Sequence, residues 1–286
     1  MAEVLKKRLL VLVTTFNRRE TTLNSLHSLM RAMPPEIEPQ LVVVDASSRD
    51  RTAEAVSRAF PSAVVLTAPA NTYWAQGMSL AWDHAQQLKY DCILWLNDDV
   101  LIDRDGLVSL FQLYGERSES IIVGATRDPV SDEPTYGGFV LGPWWRRLSM
   151  RAVTPNGQPK RIDAANGNLL LAARTVDDQV GGFPRGFVHG MADNDYTLRA
   201  RKIGIHSYLT PTAIGTCERN RVQGTWKDLQ LPPHERLRLL RSPKGLPFST
   251  YWSFCLRHGG LTGPLYAIKP YASILLSIAR AAGFKR

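Results

Sequence analysis

Over its first 125 residues the chain switches repeatedly between two hydrophobic periods, and this alternation restricts the fold more than any other feature. Short apolar runs at Leu9–Val13, Leu41–Val44, Ala63–Leu66, Cys92–Leu96 and Ile121–Val123 read as strands. Between them, apolar residues fall at helical spacing: Leu23, Leu26, Met30 and Met33; Ala53, Val56 and Phe60; Met78, Ala81, Trp82, Ala85 and Leu88; Leu107, Leu110, Phe111 and Tyr114. Strands alternating with helices predict an α/β fold, a mostly parallel sheet with helices on both faces. Such sheets bind ligands beyond the carboxyl ends of their strands, so the residues after each strand are the place to look for chemistry.

Beyond residue 125 the pattern changes. Residues 126–165 are rich in Gly, Pro, Trp and Arg and read as loops with a β-ribbon. Gly167–Ala172 and Ile205–Leu209 read as further strands, Asp193–Ile203 as a helix ended by Gly204, and Leu231–Leu240 as another. Pro243 and Pro247 break the chain after that helix, and Leu261–Phe284 mixes apolar and aromatic residues with Lys269 and Arg280. These shifts divide the chain into a body, 1–218, with halves 1–125 and 126–218, and an extension, 219–286.

Composition removes several classes of protein. With 44% hydrophobic and 21% charged residues, the 286-residue chain buries roughly 75% of its unfolded surface. Three scattered cysteines frame neither a disulfide scaffold nor a zinc site and suit a reducing cytosol. The net charge of +9 is uneven: Met1–Glu218 holds 23 basic and 24 acidic residues, Arg219–Arg286 holds 12 and 2. A neutral body argues against nucleic acid, whereas the basic extension suits either an anionic membrane surface or a helical subdomain packed on the body. No run approaches the roughly 20 apolar residues of a membrane span.

The densest chemistry is Asn97-Asp98-Asp99, directly after Ile93–Leu96. Adjacent carboxylates repel unless a cation or donors compensate them. Hard oxygen ligands with open positions suit Mg²⁺ or Mn²⁺ shared with substrate phosphates, although Asn and Asp also simply end strands in turns. Other strand ends carry Thr14-Thr15-Phe16-Asn17-Arg18, Asp45-Ala46-Ser47-Ser48 and Asn71-Thr72-Tyr73-Trp74-Ala75-Gln76-Gly77. His189-Gly190-Met191-Ala192-Asp193-Asn194-Asp195 opens a helix.

In this order, over about residues 9–220, these segments resemble family-2 glycosyltransferases of the GT-A fold. Trp95–Val100, Gly224–Trp226 and Ser242–Pro247 extend the likeness to bacterial polysaccharide or rhamnosyl-type transferases. The resemblance implies that Thr14 and Phe16 hold a nucleobase, with Asn17 and Arg18 beside them, and that Asp45 hydrogen-bonds the nucleoside. Ala46 stands where the family often has a second polar residue. Asn71, Trp74, Gln76 and Gly77 would line the donor pocket, Gly77 by letting backbone N–H groups approach a phosphate. Asp99 would contact Mn²⁺ or Mg²⁺, with Asp98, beside Asn97, holding the donor sugar or ribose or a share of the metal. A third ligand, often His in the family, has no His available near 216–221; Glu218 and Asn220 are the polar residues there.

By the same likeness Asp193 is the catalytic base, favoured in ionised form by a helix start, or else only a cap of that helix. Asp195 is the reserve, paired at i,i+4 with Arg199 on an exposed helix face. Trp144, Trp145 and His189 are candidates for an acceptor site, the indoles equally candidates for a core. The implied activity is an inverting, metal-dependent transfer from a nucleotide-diphosphate sugar to a glycan or lipid-linked glycan hydroxyl, in the cytoplasm or peripherally at the inner membrane face. A nucleotide-sugar-forming nucleotidyltransferase and a non-catalytic carbohydrate-binding scaffold are the rivals. A dehydrogenase, P-loop enzyme or hydrolase lacks its motif here.

Overall fold

Leu9 to Val13 are apolar without interruption, and a strand of that kind is stable only when both of its faces are covered. The computed structural model describes residues 6–283 and buries this run completely, in strand β1 (Lys7–Thr15). The chain continues through α1 (Arg19–Ala32), β2 (Ile37–Asp45), α2 (Thr52–Ala59), β3 (Val64–Thr67), α3 (Trp74–Ala85) and β4 (Cys92–Leu96). It goes on through β5 (Leu101–Ile102), α4 (Gly106–Glu116) and β6 (Ile121–Arg127). Strands β3, β2, β1 and β4 lie side by side and parallel, with Thr15 opposite Asp45 and Leu12 opposite Trp95.

After β3 at the edge, the chain steps across to place β4 on the other flank of β1. The order therefore reverses at β1, and in open α/β sheets the crevice outside the carboxyl ends at such a reversal, here those of β1 and β4, is the preferred ligand position.

The second half departs from a purely parallel pattern. Strands β7 (Gly138–Val140), β8 (Arg151–Val153), β9 (Lys160–Ile162) and β10 (Ala164–Ala165) lead into β11 (Leu169–Ala173). Strands β10, β7 and β8 form the expected ribbon as a small antiparallel sheet. β11 inserts antiparallel between β4 and β6, with Leu169 opposite Leu96. Because β11 runs against β4, the residues just before β11 lie at the same sheet end as those just after β4. Helices α5 (Arg174–Val180) and α6 (Ala192–Lys202) and strand β12 (Ser207–Thr216) complete the body, β12 pairing parallel with β6. One core, including the fully buried Trp95, Tyr196 and Phe183, lies beneath the crevice.

The extension is helical: α7 (Pro233–Arg241), α8 (Phe248–His258) and α9 (Gly263–Gly283). Phe284, Lys285, Arg286 and the first five residues lie outside the described residues. Both α7 and α8 pack against α9, and α8 packs on α6. The joint is ionic. Asp195, completely buried, accepts from Arg199 Nε at 2.9 Å, Arg257 Nη1 at 2.6 Å and His258 Nε2 at 2.8 Å. The Asp195–Arg199 pair expected on an exposed helix face is thus an interior one, because α8 covers that face. Burial raises the Asp195 pKa, but His258 and Arg257 outweigh it and the net shift is downward.

Replacing Asp195 with Ala leaves three donors without their acceptor. We expect a loss of about 1–3 kcal/mol in urea unfolding, with the contacts of α8 lost first by hydrogen exchange.

Candidate active site

The crevice floor is made where β1 runs out. Thr14 is buried, its Oγ1 without a partner, and the helix wall opposite it is Gly77. A Cβ on Gly77 would collide with the Thr14 side chain. This glycine, expected to let a phosphate approach, instead lets α3 lie directly on β1. Gln76, expected to line the donor pocket, accepts the Tyr73 N–H at 3.1 Å and so caps its own helix. Asn71 is exposed in the preceding loop.

Two loops are laced together beside this floor. Asn17 adopts a left-handed conformation (φ 51°), which Asn tolerates better than most residues. Its Oδ1 accepts the Arg49 N–H at 2.7 Å and its own N–H donates to Ser48 Oγ at 2.8 Å. Asp45, nearly fully buried, accepts the Ser48 N–H at 2.9 Å and the Ser48 hydroxyl. Phe16 is 46% exposed at this rim, which excludes the core role common for Phe and leaves a ring face free for stacking.

Above β4 the two carboxylates diverge in environment. Asp98 is buried, whereas Asp99 is part-exposed. Arg18 bridges them, Nη1 lying 3.0 Å from Asp98 Oδ1 and 3.0 Å from Asp99 Oδ2. Burial pushes the Asp98 carboxyl up to about 6; Arg18 opposes this and Asp99 reinforces it. The guanidinium occupies the position in which a cation between the two carboxylates is expected. Among the described residues no three His, Cys, Asp or Glu side chains converge into a closed cage. Two carboxylates and open positions match a hard divalent ion completed by substrate phosphates.

Cys217, one residue past β12, carries no local sequence sign of a site residue; the pairing of β12 with β6 brings it here. It is buried, with Sγ 3.5 Å from Asp99 Oδ1, and accepts from Asn168 Nδ2 at 3.7 Å. Burial, then Asp99, holds its pKa up, so it faces Asp99 as a thiol donor. Glu218 and Asn220, the polar residues considered for a third ligand, are exposed, and the Asn220 N–H donates to the Tyr136 hydroxyl at 2.9 Å.

The opposite wall carries Asp193. It is the second residue of α6, not the cap; the cap is Met191, in a left-handed conformation with φ 73°. Asp193 Oδ2 accepts the Gly167 N–H at 3.0 Å, and Oδ1 accepts the backbone and side-chain N–H groups of Asn194 at 2.8 and 2.9 Å. Burial raises its pKa against these donors, giving a half-buried carboxylate of enhanced basicity. Asp195, the reserve, turns instead to the extension and has both oxygens engaged.

The two walls are joined through β4 and β11. The Asn97 N–H donates to the Asn168 carbonyl at 3.0 Å, and Gly167, next in line, holds Asp193. Trp74 spans the same gap: its indole N–H donates to Asn97 Oδ1 at 2.8 Å while its six-membered ring lies against Gly167. Trp74 also packs on Trp95 and Phe183, centroids 6.4 and 6.0 Å away. Through these contacts Asp193 is tied to the same strand end as Asp98 and Asp99.

His189 lies edge-on to Tyr73, the residue before α3, with centroids 6.0 Å apart. Its Nδ1 is buried without a partner, and burial, with Lys244 adding to it, lowers its pKa to about 4, so the ring is neutral. The extension covers this turn: Val188, His189 and Met191 line a small cavity with Pro243, Leu246 and Tyr251. Trp144 and Trp145 are not core residues. They form an exposed 3₁₀ turn, packed edge to face on one another and set against Gly260–Thr262 of the extension.

A parallel sheet whose order reverses at β1, with acidic residues at the switch point, has the architecture of an open α/β protein with its ligand position at the strand ends. Residues 10–173 match the model of glycosyl transferase family 2, more than half of the chain, and the protein belongs to that family. It is 23% identical over 138 residues to the low-salt glycan biosynthesis hexosyltransferase Agl10 of Haloferax volcanii, a match spanning 46% of this chain and 41% of Agl10.

Among solved structures, the mannosyltransferase PcManGT of Pyrobaculum calidifontis, in complex with GDP-Man and Mn²⁺, superimposes with a TM-score of 0.53 at 20% identity, covering 96% of this chain and 76% of that one. GalNAc-T7 with UDP, GalNAc and Mn²⁺ gives 0.60 at 14%, covering 96% and 58%. S. aureus TarS with UDP-GlcNAc gives 0.56 at 14%, covering 94% and 71%. These likenesses establish the GT-A fold.

Two outcomes test this geometry. In the metal-free protein the Asp98 carboxyl carbon is expected to titrate near pH 6 by NMR; Arg18→Ala removes the influence that lowers it, so the midpoint moves higher still. Gly77→Ala is expected to cost about 1–3 kcal/mol in chemical denaturation, because α3 must lift off Thr14.

Proposed function

We propose that the protein is an inverting hexosyltransferase that moves a sugar from a nucleoside-diphosphate donor to a hydroxyl of a glycan or lipid-linked glycan, in bacterial surface polysaccharide synthesis. The observation that carries this reading is that Asp193 and the strand end bearing Asp98 and Asp99 are tied together through Asn97, Trp74 and Gly167. Residues 1–218 would be the catalytic unit, 1–125 for the donor and 126–218 for the acceptor, with 219–286 as the extension.

The donor's base stacks on the exposed ring of Phe16, and Asp45, now bonded to Ser48, would hydrogen-bond the nucleoside. Thr14, buried beneath Gly77, shapes the floor; Asn17 follows Phe16 in the chain, and Asn71 is exposed in the loop before α3. Asp99 and Asp98 would hold Mn²⁺ or Mg²⁺, which supplies positive charge to offset that of the leaving diphosphate. Arg18, already between these carboxylates, is free to turn its guanidinium to the phosphate oxygens once they arrive.

Asp193 accepts the proton of the acceptor hydroxyl as its oxygen attacks the anomeric carbon. The carbon–oxygen bond to the diphosphate breaks on the opposite face, which inverts the centre. Burial raises the basicity of Asp193, and the Gly167 and Asn194 donors fix its direction. His189, neutral, lines the acceptor end.

Free, buried Cys92, Cys217 and Cys255 favour the cytoplasm, and no described helix is long and apolar enough to cross a membrane. A lipid-linked acceptor would bring the enzyme to the inner membrane face.

A screen of nucleotide sugars with Mn²⁺, read as thermal stabilisation, is expected to identify a donor that raises the melting temperature only with metal. With that donor, Asp193→Asn is expected to lower turnover about 10²–10⁴-fold while keeping the stabilisation. Asp99→Ala is expected to abolish the metal-dependent part of it. No stabilisation by any sugar nucleotide, or full turnover in Asp193→Asn, overturns the assignment.

A further inference from the structure

The extension's last helix has apolar residues on both sides, and only one side is used. Ala267 and Ile274 face inward and are buried, whereas Leu265, Ile268, Leu275 and Leu276 point outward. With Leu261 just before the helix, these outward residues recur at spacings of three, four and seven, which places them on one stripe of α9. Leu261 is 93% and Leu265 69% exposed.

The stripe is continuous with a second exposed apolar feature. The Trp144–Arg146 turn sits against Gly260–Thr262, so Trp144, 73% exposed, and Trp145, 54%, extend the patch at the start of α9. Contiguous exposed leucines and indoles of this extent mark an interaction surface rather than ordinary surface scatter.

The charge around it selects the partner. Arg146 and Arg147 follow the indoles, and Lys269 and Arg280 are exposed on the helix beside the stripe. From Arg236 to Arg286 the sequence has nine Lys and Arg and no Asp or Glu, and from Pro134 to Ile162 acidic residues are again absent. A second copy of the chain would set cations against cations. An anionic lipid surface satisfies both halves of the pattern: leucines and indoles enter the headgroup boundary while the basic side chains meet phosphates. No described helix can cross the bilayer, so the contact lies in the membrane plane.

We propose that the outer stripe of α9 and the Trp144–Trp145 turn form one docking surface for an anionic bilayer. It rests on the functional reading above only for its purpose, which is to bring the crevice to a lipid-linked acceptor; the surface itself stands on the exposed residues and their charge.

The test is co-sedimentation of the full chain with vesicles of phosphatidylcholine alone or mixed with phosphatidylglycerol. Binding to the mixed vesicles is expected, and salt should weaken it. Leu265→Ser with Leu276→Ser should cut the affinity about tenfold or more. Arg146→Glu with Arg147→Glu should cut it about thirtyfold or more, taking about 1 kcal/mol per basic residue lost. The leucine variant should keep the donor-induced thermal stabilisation of the parent, which separates this surface from the crevice. No sedimentation at low salt overturns the proposal. So does equal binding by parent and leucine variant, or a concentration-dependent dimer that the leucine variant abolishes without any vesicle binding. Failure of donor stabilisation in the parent with vesicle binding intact would instead count against the functional reading alone.

Discussion

Two carboxylates on consecutive residues are held at the end of a fully buried strand, and the burial of one, reinforced by the charge of the other, is the constraint that organises the crevice. Asp98 cannot ionise cheaply where β4 ends, and Arg18 reaches from the β1–α1 loop to offset the charge of both neighbours. That reach is possible because β1 and β4 are adjacent, and they are adjacent because the chain crosses from β3 to the far side of β1. Topology and electrostatics are therefore the same fact seen at two scales. The sheet reverses where the charge must be met.

The Asp193 side depends on the same sheet. Had β11 run parallel to its neighbours, Gly167 and Asn168 would sit at the wrong end. Its antiparallel insertion brings them beside Asn97, and Gly167 then aims the Asp193 carboxylate. Trp74 fills the space between and bonds to Asn97, so the distance across the crevice is set by packed aromatic rings and ladder bonds and not by loops alone.

The α/β alternation was legible because buried parallel strands and amphipathic helices write different periods into a sequence, and the strand ends led directly to Asp45, Asp98 and Asp99. The helix opening at Asp193 was legible within a residue. What could not be read was anything decided by strand direction or by distant partners. Cys217 looks like an isolated thiol until β12 is placed beside β6, and Gly77 looks like a phosphate turn until Thr14 is beneath it. Asp195 and Arg199 have the spacing of a surface pair, and only the docking of α8 shows that they are interior. The indoles at 144 and 145 carried no local sign of the helix they adjoin.

Helix α6 carries two acids two residues apart with opposite obligations. Asp193 faces the crevice, and Asp195 faces Arg257 and His258 of the extension. One helical turn links them, so the C-terminal helices cannot be exchanged or shed as an independent module without disturbing Asp193. Variation in this lineage should accordingly gather in the outer stripe of α9, where the chain can be retuned to a new surface without disturbing that anchor.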